Sequence, residues 1–182
     1  MHDNEIEQLM AVGRDKRSGA DRIMPPRWFY GETMHWLIGG VVKDHSGAVR
    51  ELAPGERYLG AFIVPAFQRP PVWTETQKVR LIESIYMGLP IGAIIYNQTA
   101  FQSPYDRWLL DGQQRVTAIV EYMRGDFPVR DWRYSDLPAI ERRHFERMGV
   151  AVIETRMSTE AECRDIYERL DYGGTPHEPK HA

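Results

Sequence analysis

The chain has 182 residues, 42% of them hydrophobic, which suffices for one domain with a buried core and short extensions. Its 23 Lys and Arg against 26 Asp and Glu give a formal charge of -3 and a pI near 6.1, so no global basic field exists and any nucleic-acid contact rests on a local patch. One cysteine, Cys163, excludes an internal disulfide framework, and no stretch approaches the roughly 18 uninterrupted apolar residues of a membrane span.

The start MHDNEIEQLM lacks a basic region followed by an apolar run. A cytoplasmic protein is expected, in the host's cytoplasm if a phage encodes it, with no membrane partner. Residues 1–57 read as an N-terminal extension, in which Gly and Pro punctuate one apolar segment from Trp36 to Val42; a short helix is expected there, and a hairpin turning at DHSG. From Tyr58 the pattern tightens. YLGAFIV predicts a short strand ending at Pro65, and FQRPPVW a rigid extended segment, because two prolines fix their own backbone and bias the preceding residue away from helix.

TETQ predicts a capping box, with Thr74 accepting from the third helical amide and Gln77 reaching back. The helix that follows carries Val79, Ile82 and Tyr86 on one side, with Leu81 and Ile85 beside them, and stops at MGLP. IGAIIYN and RWLLD predict buried strands. Asn97 heads an NQT that matches a glycosylation acceptor, without chemical consequence in a chain read as cytoplasmic. After DG, Val116, Ile119, Val120 and Met123 recur at spacings of three and four, the pattern of an amphipathic helix. SDLPAIERRHFERM predicts a further helix, GVAVIET a strand, and STEAECRDIYERL a last helix with a second capping box at Thr159 and Glu162. Cys163 falls in that helix as a packing residue, and GGTPHEPKHA reads as a frayed tail. The alternation predicts an α/β (α+β) fold: an extension over 1–57, a domain over 58–178 and a tail over 179–182.

A strand entering an amphipathic helix needs only a turn, which DG supplies, so the QQR that follows in DGQQR asks for a ligand. Gly112 permits close backbone approach, and the first amides of the helix carry partial positive charge suited to phosphate. Arg115 adds a fork of donors for phosphate oxygens, Gln113 and Gln114 can donate to phosphate or read a base or ribose, and Asp111 can hold magnesium or take a proton. A solvated helix start is the bland alternative. In VPAFQRPPVW, Gln68 and Arg69 are held by prolines and lose little entropy on meeting an anion, with a structural corner as the alternative. In IYERLDYGGTP, Ile166 and Leu170 read as core, Gly173 and Gly174 as a helix stop, and Arg169 with Asp171 as a helix-end ion pair. The sequence has no HExxH and no GxxxxGK[ST]; His177 and His181 are four apart, but Pro179 argues against the helix that would align them.

The motifs VPAFQRPPVW, LIESIYMGLPIGAIIY, LLDGQQRVTAIVEYM and IYERLDYGGTP follow one another in the order and spacing of the GmrSD-type N-terminal domain, a branch of the ParB/sulfiredoxin-like superfamily, and the resemblance covers roughly Tyr58 to Glu178. It implies a compact ParB/sulfiredoxin-like domain in which Asp111, Gly112, Gln113, Gln114 and Arg115 form the nucleotide motif, faced by Gln68 and Arg69. Two departures stand out. The chain ends soon after the last predicted helix, with no nuclease motif, and the asparagine usual before Gly-Gly is replaced by Asp171 and Tyr172.

The leading expectation is an ATP-dependent phosphotransferase acting on a hydroxyl of a modified DNA base, with ATP and Mg2+ as cofactors. Asp111 is then metal ligand or base, Arg115 and Arg69 the phosphate contacts. The alternatives are an NTP-hydrolysing sensor subunit of a modified-DNA restriction or antiphage system whose nuclease lies on another chain, and a DNA-binding adaptor with a decayed nucleotide site. DNA contacts are expected from Arg14, Lys16, Arg17, Arg22 and Arg27, or from Arg142, Arg143 and Arg147. Self-association into a homo-oligomer is left open.

Overall fold

The computed structural model describes residues 32–43, 50–99 and 103–172. Within them lie β1 (Glu32–Leu37), α1 (Ile38–Val41), β2 (Arg57–Leu59), β3 (Phe62–Val64), α2 (Glu75–Tyr86), β4 (Ile94–Asn97), β5 (Leu109–Asp111), α3 (Gln113–Arg124), α4 (Ala139–Glu146), β6 (Gly149–Thr155) and α5 (Glu160–Tyr172). The main sheet has the order β1-β6-β4-β5, with β6 and β4 parallel and the other pairs antiparallel; β2 and β3 form a separate hairpin. The backbone amide of Ile63 donates to Arg107 O at 2.8 Å and ties that hairpin to the start of β5. The fold is mixed α/β, as the alternation of patterns predicts.

The strands are short apolar runs because both of their faces are buried. Phe62 and Val64, Ile94 and Tyr96, and Leu109 join the larger core with Ile82 and Ile85 of α2 and Val116 and Ile119 of α3. The alternate residues Ile63, Ile95 and Leu110 point into a second, smaller cluster closed by Trp108 and by Cys163 of α5. The sheet is thus sandwiched between α2 and α3 on one side and α5 on the other. Both expected capping boxes form: Gln77 N donates to Thr74 Oγ1 with Gln77 Oε1 accepting from Thr74 N, and Glu162 N donates to Thr159 Oγ1 with Glu162 Oε2 accepting from Thr159 N.

Three local expectations change. YLGAFIV is a hairpin instead of one strand: Leu59 pairs with Phe62 across Gly60, whose φ of +57° and position 2.3 Å, measured from an added Cβ, from Val41 O admit no side chain. Trp36 to Val42 holds the expected short helix, α1, but opens with the end of β1, an edge strand paired along its length with β6, so this part of the N-terminal extension builds the main sheet. SDLPAIERRHFERM is broken: a 3-10 turn covers Tyr134–Asp136, and α4 begins only after Pro138, because the residue before proline is pushed out of helical geometry. The DHSG turn, Gly173 and Gly174, His177, His181 and the tail over 179–182 lie outside the described residues.

Asn97, the head of the glycosylation-like triplet, is fully buried at the end of β4. Its Nδ2 donates to Tyr105 O and Met157 O, both at 3.0 Å, while Oδ1 accepts from Thr155 Oγ1 at 2.9 Å and Met157 N at 2.7 Å. Every bonding capacity of the amide is spent on joining β4, β6 and the approach to β5. Asn97→Ala strands four partners and is expected to lower unfolding free energy by about 3 kcal/mol, read from denaturant melts.

Glu56 anchors the hairpin's entry by accepting from Ala53 N at 2.7 Å, Trp108 Nε1 at 2.6 Å and both Arg50 terminal nitrogens. Burial alone raises its pKa, but the hydrogen bonds from Arg50, Ala53 and Trp108 together outweigh it and hold the carboxyl below its ordinary value of 4.5. A depressed carboxyl stabilises the fold above its unfolded pKa and loses that contribution as pH falls through the folded pKa. Stability measured from pH 6 down to pH 2 should therefore fall more steeply for the wild type than for Glu56→Gln.

Candidate functional site

The segment FQRPPVW has few backbone donors of its own, since Pro70 and Pro71 carry no N–H. Side-chain amides hold it in place. Gln68, itself buried, donates through Nε2 to Leu109 O on β5, and Gln113 Nε2 donates to Arg69 O at 3.0 Å. Gln114 Oε1 accepts from the next two available amides, Val72 N at 3.1 Å and Trp73 N at 3.2 Å. Of the glutamines that the sequence nominates for ligand contact, Gln113 and Gln114 thus spend one amide atom each on the facing segment and Gln68 spends one on β5. Among the described residues Gln114 Nε2 makes no such bond, and Gln114 lies in the wall of the cleft described next.

That cleft, of about 200 Å³, lies between the proline segment, the β5–α3 junction and the last turns of α5. Gln68, Arg69, Asp111, Gly112, Gln113, Gln114 and Arg115 all line it, so two motifs separated by more than forty residues of chain converge on one space. Gly112 makes the junction work. It sits at φ +96°, and a Cβ there would come within 3.2–3.3 Å of Ile94 and of the Arg115 guanidinium folded back over it. No side chain caps α3, which leaves its first-turn amides without intrahelical partners at the cleft wall.

Arg115 is more constrained than a surface arginine at a helix start. Its side chain is only 20% exposed, and Nη2 donates at 2.7 Å both to Ala93 O and to Asp111 Oδ2. Asp111 remains 41% exposed, and among the described residues its Oδ1 accepts no hydrogen bond. Arg69 Nη2 reaches Asp171 Oδ1 at 2.5 Å, and the Tyr167 hydroxyl and the Asp171 carboxylate hold the guanidinium pKa above its ordinary value. Two arginines and two aspartates make the lining charge-balanced. Among the described residues no group of three or more His, Cys, Asp or Glu is placed to hold a metal ion.

The sequence reading misses one wall. Tyr167, Leu170 and Asp171 of α5 line the cleft together with Trp73. Leu170, expected in the core, is 41% exposed. The expected pairing of Arg169 with Asp171 does not form: Arg169 Nε donates to Asp165 at 3.0 Å, one turn back, while Asp171 turns across the cleft to Arg69. The four-residue spacing of Tyr167 and Asp171, which places them on one helix face, was the available signal. Ile166 does pack where expected, against the smaller cluster.

A family model described as GmrSD restriction endonuclease, N-terminal domain, matches residues 49–180. No curated protein and no solved structure matches the chain.

Loss of the Gln114 amide leaves Val72 N and Trp73 N without a partner. Gln114→Ala is expected to cost about 1–2 kcal/mol in unfolding free energy and to speed hydrogen exchange at those two amides above the rest of the domain.

Proposed function

Since the chain belongs to the GmrSD restriction endonuclease, N-terminal domain family, we propose that it serves in a modified-DNA restriction system, binding a nucleoside triphosphate in the cleft at the β5–α3 junction and hydrolysing it. The observation that supports this reading is the convergence, in one cleft, of the uncapped first turn of α3, the exposed Arg69 guanidinium and the Asp111 carboxylate. Helix amides and an arginine fork suit phosphate oxygens. Asp111 reaches solvent and suits the activation of water.

The donor set also fits a divalent cation carried by phosphates. Magnesium usually takes one or two carboxylates plus phosphate oxygens and water, and Asp111 Oδ1 is the unspent carboxylate oxygen here. Bound there, the cation would neutralise charge developing on the phosphates. Arg115, braced by Ala93 O, fixes the orientation of Asp111 through Nη2, and among the described residues its Nη1 has no hydrogen-bond partner, which leaves it for the ligand in this reading. Gln114 Nε2 and the α3 amides complete the phosphate contacts in this reading.

A second reading transfers the terminal phosphoryl group to a hydroxyl on a modified DNA base. Its support is the open mouth of the cleft, where the Arg69 side chain is 73% exposed and within reach of a large acceptor. For contact with DNA, Arg143 and Arg147 are exposed on and after α4, whereas Arg142 is committed to Ser135 O and Leu137 O at 3.1 and 2.8 Å. Arg14, Lys16, Arg17, Arg22 and Arg27 lie outside the described residues.

One experiment separates these readings: ATP labelled at the γ-phosphate, incubated with the protein, Mg2+ and DNA carrying hydroxymethylated bases. Label released as free phosphate supports hydrolysis; label on DNA selects transfer, whose rate should fall steeply with salt. Asp111→Asn should keep ATP binding and lower the rate by about 100-fold or more. Arg115→Ala should lose turnover and, because the side chain is half-buried, also about 1–2 kcal/mol of stability. An absence of ATP binding by the folded wild type would sink both readings.

A further inference from the structure

The two arginines of the cleft are paired in different ways. Arg115 is held from behind by Ala93 O and is joined to Asp111 four residues away on its own junction. Arg69 is held only at its tip. Its carbonyl is fixed by Gln113, but its guanidinium extends into solvent and meets Asp171, on the last turn of α5, from an element 102 residues away. Exposed pairs of this kind contribute little to folding, because water screens them and two long side chains must be ordered. The pair, with the Tyr167 hydroxyl beside it, nevertheless occupies donors that an anion entering the cleft would use.

We propose that Asp171 is a specificity-determining residue of this cleft: its carboxylate stands in the anion position of Arg69, so a phosphate gains that arginine only by displacing it. The proposal rests on the reading of the cleft as a phosphate site. Carboxylate and phosphate oxygens engage the same guanidinium donors, so they compete directly. A small anion such as orthophosphate has one point of attachment and must overcome both the existing pair and repulsion from Asp111 and Asp171. A polyphosphate meets the first-turn amides of α3 at the same time and can offset the displacement. Asp171 therefore sets a threshold that an anion with a second attachment clears and a small anion does not, and an asparagine of the same shape, a weaker acceptor without charge, would lower that threshold for both.

Calorimetric titration with inorganic tripolyphosphate and with orthophosphate tests this on the full chain, as wild type, Asp171→Asn and Asp171→Asn/Arg69→Ala, each checked for cooperative unfolding. Tripolyphosphate should bind Asp171→Asn about tenfold more tightly than wild type, and the gain should vanish in the double variant. Orthophosphate, too weak to register on the wild type, should become measurable on Asp171→Asn. Equal affinities for wild type and Asp171→Asn, a gain that survives removal of Arg69, or no tripolyphosphate binding to any variant would overturn the proposal. ATP turnover followed in parallel judges the catalytic reading separately, since the tripolyphosphate gain requires no chemistry.

Discussion

The attachment of a proline-locked segment to a helix start by side-chain amides is the constraint on which the site depends. Pro70 and Pro71 give the segment a fixed backbone but remove two of the hydrogen-bond donors that would tie it to a neighbour. Gln68, Gln113 and Gln114 take over that task, bonding to Leu109 O, Arg69 O and the amides of Val72 and Trp73. Strand β5, helix α3 and the segment are thereby one unit, and Arg69 leaves that unit from a backbone that cannot drift. The rigidity serves binding, because a guanidinium on a fixed stem loses less entropy when it meets an anion.

Charge is distributed to match. A chain with no excess of basic residues cannot attract phosphate from a distance, so selectivity must be local. Each arginine in the cleft faces an aspartate, and unpaired positive character comes from the uncapped amides of α3. Gly112 is the geometric condition for this. Its left-handed backbone lets Arg115 fold back against Asp111 where α3 begins, uncapped by any side chain, at the cleft wall.

Much of this was legible in the residues, and the failures have identifiable causes. The two capping boxes, α3 and β6 follow from local rules: a hydroxyl three residues before an acceptor, a period of three and four, a turn glycine between apolar runs; the facing of FQR and DGQQR was implied by the family resemblance alone. YLGAFIV misled because its apolar composition hides the reversal at Gly60, which is forced by the close approach of Val41 O, a contact distant in sequence. The glutamines misled in another way. Polar side chains beside a turn read as ligand contacts, yet a neighbouring segment poor in donors and full of prolines consumes them first. The α5 wall was missed because Tyr167 and Asp171 resemble an ordinary helix surface until the fold brings Arg69 opposite them.

Cys163 faces inward from the same helix. It is fully buried against Ile63 and Trp108, and burial, followed by the nearby charges of Glu162 and Glu160, pushes its thiol up to about 12. Only the thiolate attacks electrophiles, so at neutral pH this side chain is chemically silent while α5 rests on the sheet. Since α5 also carries Tyr167 and Asp171, the rate at which an alkylating reagent marks the chain's single sulfhydryl becomes a clock for how often that wall of the cleft lifts away.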